Sequence, residues 1–174
     1  MAQQINRLLP VLACLWGVCG IQTVQAADIN LSGTVVASAC IVDTGTIDQT
    51  VTFEQARAVD YTRVGDTSEW QDFELTLSAC PSSTSQVTAL FSGDANSDDI
   101  TKFANAQGSA SGMALQIMTR DHQTEISPEE TLAVSVDRTS RRAIFPLSAR
   151  MYTPTGHVTS GEFQTTVQLT FTYQ

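Results

Sequence analysis

The sequence is poor in positive charge, in histidine and in long apolar runs. Nine lysines and arginines stand against 18 aspartates and glutamates, a formal charge of −9, and Lys102 is the one lysine. A surface of that sign repels phosphate backbones and anionic headgroups, which argues against nucleic-acid binding and against peripheral attachment to a membrane. The two histidines, His122 and His157, fall in turn-like stretches with no cysteine beside them. That leaves little material for a metal site or a histidine-based triad, and both are expected as solvated surface groups. The one calcium-loop lookalike starts at Asp94-Ala95-Asn96-Ser97-Asp98 but places Asp99 where glycine is needed and Asn105 where glutamate is needed. It is read as an acidic solvent-facing turn, as is Glu129-Glu130 after Pro128. No nucleophile, base and metal set can be assembled, so neither an enzyme nor a cofactor is expected.

The longest apolar run, "LLPVLACLWGVCGI", has 14 residues and is too short to span a bilayer. Arg7 precedes it, and Val24-Gln25-Ala26 follows with small residues at the minus-three and minus-one positions, so residues 1–26 read as a secretory signal peptide. A lipoprotein signal ending at Cys14 is the weaker alternative, because Leu12 suits its minus-two position poorly. Cys14 and Cys19 leave with the signal peptide. Cys40 and Cys80 remain as an even pair in an oxidising compartment, where a disulfide is the default and two buried thiols the alternative. Closing a loop of about 40 residues stabilises by roughly 4 kcal/mol. Trp70, ten residues ahead of Cys80, is expected in the core near that pair rather than in a sugar site.

Helical periodicity is also missing, whereas two-residue alternation recurs. Phe73, Leu75, Leu77 and Ala79 alternate with polar residues, as do Val87, Ala89 and Phe91; Met113, Leu115 and Ile117; Leu132, Val134 and Val136; and Phe145, Leu147 and Ala149. Each set is a half-buried strand, and "GDANSDD", "NAQGSASG", "DHQTEISPEE" and "TPTGHVTSG" between them carry turn chemistry. A short helix is expected around residues 100–106. The pattern predicts one antiparallel β-sandwich of immunoglobulin-like type.

Both termini of the exported chain are long alternating strands. At the N-terminal side Ile29, Leu31, Val35 and Ala37 share one face, with Gly33 in the inward slot between Leu31 and Val35. At the C-terminal side Phe163, Thr165, Val167, Leu169, Phe171 and Tyr173 share a face, and one residue follows. Uncovered strands recruit other strands, so two such termini on one domain call for partners.

The N-terminal segment ending at Cys40, "SEWQDFELTLSACP" with Cys80, "TSQVTALFSG", "RRAIFPLSAR" and the closing "VQLTFTYQ" with its penultimate tyrosine together resemble the pilus subunits of the chaperone-usher pathway, and among them the minor adaptor subunits of type 1 fimbriae. The resemblance implies an incomplete immunoglobulin-like sandwich that a strand from another subunit completes. It implies three parts: the signal peptide, a donor-strand extension at 27–39, and a pilin domain at 40–174. Ile29, Leu31, Gly33, Val35 and Ala37 would enter a neighbouring subunit, and Phe163, Val167, Leu169, Phe171 and Tyr173 would line this subunit's groove or pair with a chaperone strand. Cys40 and Cys80 would tie the first strand of the body to a later one. The partners implied are a periplasmic chaperone, an outer-membrane usher and neighbouring subunits including the tip adhesin, and the place implied is a cell-surface fimbria reached through the periplasm. Donor-strand pairing of this sort draws affinity from main-chain hydrogen bonds and selectivity from side-chain pockets. The alternatives are the major rod pilin of the same system and a carbohydrate-binding adhesin, the latter disfavoured because adhesins of this pathway resemble a pilin domain fused behind a lectin domain.

Overall fold

The computed structural model describes residues 39–174; residues 1–38, which hold the expected signal peptide and the whole run Ile29 to Ala37, lie outside the described residues. In chain order the elements are β1 (Ile41–Val42), α1 (Thr44–Ile47), a 3-10 turn (Ala58–Asp60), β2 (Gln71–Ser78), β3 (Gln86–Ser92), β4 (Phe103–Ala104), β5 (Ala114–Thr119), β6 (Glu125–Ile126), β7 (Glu130–Ser135), β8 (Ala143–Tyr152) and β9 (Gln168–Tyr173). One sheet runs in the order β1-β2-β8-β5-β4, with β6 paired to the end of β5, and the other runs β7-β3-β9. Each ladder among the described residues is antiparallel.

The inward faces are those that alternation marks. Leu75 and Leu77 of β2, Val87, Ala89 and Phe91 of β3, Leu115 and Ile117 of β5, and Phe145, Leu147 and Ala149 of β8 are all buried in one core. Each large apolar side chain withdrawn from water in this way contributes roughly 1.5–3 kcal/mol before entropy is charged against it. The Cys40–Cys80 disulfide joins the residue ahead of β1 to the chain just past β2, and both cysteines are buried. Next to it α1 is fastened to β2: Thr46 Oγ1 donates to the Thr76 carbonyl at 3.2 Å and accepts from the Thr76 N–H at 2.8 Å.

Three sequence expectations need correction. No helix forms over residues 100–106, where the short strand β4 pairs with β5 instead. Asn96 Oδ1 accepts the N–H groups of Asp98 and Asp99, Asp99 accepts from Thr101, and Phe103 is drawn wholly into the core, so side-chain turns and burial override helix formation. Ala79 does not extend β2, because its φ of +49° turns the chain toward Cys80. Trp70 is not in the core. It lies ahead of β2 while Cys80 lies beyond the other end, and an intervening strand of eight residues holds the two about 25 Å apart.

Candidate functional site

β9 is a strand with one ladder. Its register on β3 runs from Gln168 opposite Ser92 to Tyr173 opposite Val87. One step further, Gln174 and Gln86 exchange both backbone hydrogen bonds at 3.0 Å. In an antiparallel pair bonded and non-bonded positions alternate, so Thr172, Thr170 and Gln168 turn their N–H and C=O groups toward β3. Leu169, Phe171 and Tyr173 turn theirs the other way. Among the described residues no strand lies on that side.

The same three residues carry the half-buried side chains of the strand, whose burial alternates strictly from Gln168 to Tyr173. Phe171 meets Phe145 with ring centroids 5.9 Å apart. Burial pushes the Tyr173 phenol above its ordinary range. Upstream the chain leaves the β3 ladder, so the regular strand is shorter than the sequence alternation, yet Phe163, Thr165 and Val167 continue the half-buried face. That stretch is held by other means: Asn105 Oδ1 accepts the Gln164 N–H at 2.7 Å, and Thr165 Oγ1 donates to the Ala104 carbonyl at 2.9 Å.

Beside this edge opens a groove of about 1190 Å³. Its walls are Phe163, Val167 and Leu169 on one side and residues 49–59 on the other, and its floor includes Leu75, Phe91 and Ile117 of the core. Among the described residues, then, the sandwich lacks a strand at this place, where core side chains are reached from a groove beside a row of backbone groups with no neighbouring strand. The sequence pattern does not mark residues 49–59. Only Val51 and Phe53 alternate there, too short a run to signal a strand, and Phe53 packs edge-on against Phe163 at 5.9 Å. At the rim Arg57 and Asp60 form an exposed ion pair at 2.8 Å, and the bond from Arg57 holds the Asp60 carboxyl below its usual value.

The other polar clusters are internal braces. Lys102, its side chain 6% exposed, lies 2.7 Å from Glu125, 3.3 Å from Asp99 and 5.0 Å from the Tyr152 ring centre. Burial works against its charge, but the two carboxylates outweigh it and the pKa is raised. Glu125 accepts from Gln116, and Gln116 accepts from Arg150 Nε at 2.7 Å. The Arg150 guanidinium lies over Trp70 at 4.1 Å, and His122 stacks on Trp70 at 4.3 Å. His122 is exposed, as expected, and in addition stacks on Trp70, and Trp70 caps a surface network across the first sheet. Among the described residues no three acidic, histidine or cysteine groups come together as metal ligands, and no helix is long and apolar enough to cross a membrane.

Comparison with known proteins agrees with this architecture. The family model described as Fimbrial protein matches residues 29–174. The chain is 37% identical over 153 residues to Protein FimG of Escherichia coli K12, covering 87% of this chain and 88% of that protein. It is 32% identical over 151 residues to the S-fimbrial adhesin protein SfaS of Escherichia coli O6:K15:H31, covering 86% and 87%. The crystal structure of the P pilus rod subunit PapA superposes with a TM-score of 0.66 at 16% identity, over 79% of this chain and all of that one. The family match and these relatives place the chain in the fimbrial protein family, as a structural subunit of a cell-surface fimbria.

Proposed function

We propose that this subunit is a minor adaptor that receives a strand along the free edge of β9 and gives residues 27–39 to the next subunit. A periplasmic chaperone lends the first strand, and at the outer-membrane usher the extension of an incoming subunit replaces it. The observation that carries the reading is the coincidence, in Leu169, Phe171 and Tyr173, of outward backbone groups and half-buried apolar side chains beside a groove of about 1190 Å³. Phe163, Val167 and Leu169 present the pockets, and the backbone edge supplies the hydrogen bonds. The disulfide holds the open body together until the strand arrives. The likeness to FimG supports a place among the minor subunits.

Exchange tests the reading. Chaperone-held chain incubated with a synthetic peptide of residues 27–39, or with extensions of other subunits from the same fimbriae, is expected to release the chaperone and retain one peptide, read by native mass spectrometry. A lone chain that is monomeric, stable and indifferent to every such peptide would contradict it. Abundance in sheared fimbriae separates adaptor from rod, since a rod subunit forms most of the mass.

A second reading is favoured by one observation. SfaS is named an adhesin and is matched over 87% of its length, so one-domain length does not exclude receptor binding. Glycan-array binding by the peptide-completed subunit would support that role in addition to assembly.

A further inference from the structure

The shoulder formed by β1 and α1 exposes apolar groups that the fold itself does not use. Ile41 is 63% exposed and Ile47 is 62% exposed. Ile41, Val42, Thr46, Glu74 and Thr76 line an open cleft of about 600 Å³ beside them. Gly45 is also on its wall, and a Cβ added there would meet nothing within 4 Å. The disulfide at Cys40 fixes the shoulder, and Cys40 follows Ala37 by three residues in the sequence.

We infer that this shoulder makes a body-to-body contact with the subunit whose groove takes residues 27–39, an inference that rests on the donor reading above. Chain length brings the two bodies close. Ala37 closes the alternating set, and Ile41 follows it by four residues, which span at most about 14 Å when extended. The inserted segment has no linker, so the mouth of the acceptor groove lies no more than about 14 Å from Ile41. A strand that pairs with β9 antiparallel, as the ladders here do, leaves past Phe163 and Val59. Val59 is 71% exposed, the kind of apolar group a neighbour's shoulder would cover. The contact joins two different poles and so propagates along a fibre.

Photocrosslinking in assembled fimbriae tests it. Full-length chains carrying Ile41→p-benzoylphenylalanine or Ile47→p-benzoylphenylalanine are expected to give severalfold more two-subunit adduct on irradiation than the same probe at Ile100. Ile100 is 74% exposed but lies beside β4, at the opposite edge of the sheet from β1. Gly45→Arg, whose Cβ would meet nothing within 4 Å, is expected to leave the periplasmic amount unchanged and to lower the share of the chain in sheared fimbriae. If the chain enters fimbriae, adduct at 41 and 47 does not exceed that at 100 and Gly45→Arg has no effect, the shoulder contact is overturned while the donor reading stands. A chain that never enters fimbriae overturns the donor reading and the shoulder contact with it.

Discussion

Leu169, Phe171 and Tyr173 each serve two surfaces, a side-chain face against the core and a backbone edge toward the groove. A charge there strikes at both. Leu169→Asp is expected to weaken peptide uptake and, at saturating peptide, to cost about 2–4 kcal/mol in the peptide-completed subunit, measured by urea denaturation, because the carboxylate would face apolar groove walls. The cysteines act by another route: replacing Cys40 and Cys80 with alanine removes a cross-link over 40 residues, an expected loss of about 4 kcal/mol in the same assay. Asp99 supplies the pH dependence. Burial alone would raise its pKa, but bonds from Thr101 and the charge of Lys102 lower it. Its contribution is present above the ordinary carboxylate pKa, near 4, and is lost as pH falls through the lowered value. Lys102, raised by Glu125 and Asp99 against its burial, contributes below the ordinary lysine value and is lost as pH rises through its raised one. Urea midpoints of the wild type and of Asp99→Asn are therefore expected to differ at pH 7 and to converge in strong acid. Trp70 shows what sequence spacing hides. Its neighbours Arg150 and His122 come from β8 and the β5–β6 turn, and no pattern near residue 70 names them.

At the scale of elements, period-two alternation was legible wherever one face is buried and the other wet. Leu75 and Leu77 of β2, Val87, Ala89 and Phe91 of β3, Leu115 and Ile117 of β5 and Phe145, Leu147 and Ala149 of β8 fall on the core face, whereas Ala79 leaves it. Legibility failed where side-chain bonds replace ladders. The loop around Asn96 and Asp99 closes on its own side chains, and residues 49–59 line the groove without a strand that would impose alternation. The closing strand was legible in its face but not in its pairing, since Phe163 to Val167 keep the alternation after leaving β3. Gly33 belongs at this scale. Gly33→Leu is expected to block incorporation into fimbriae while leaving chaperone capture through β9 intact, measured by chain recovered in sheared fimbriae against chaperone-bound chain in the periplasm. Normal fimbriae from that variant would return Gly33 to the role of a bulge glycine.

For the whole molecule, an acidic body with an open sheet edge at β9 and, under the proposed function, a donor strand in residues 27–39 make a unit that cannot close on itself and so adds neighbours head to tail. Hydrogen exchange at the backbone amides of Leu169, Phe171 and Tyr173 tests that most directly, with the subunit measured free of chaperone and again with a bound strand. These three amides point away from β3, so the account predicts fast exchange in the free subunit and strong protection once a strand is bound, while Thr170 and Thr172 start protected. Equal protection of all five amides in the free subunit, unchanged by any added strand, would contradict it.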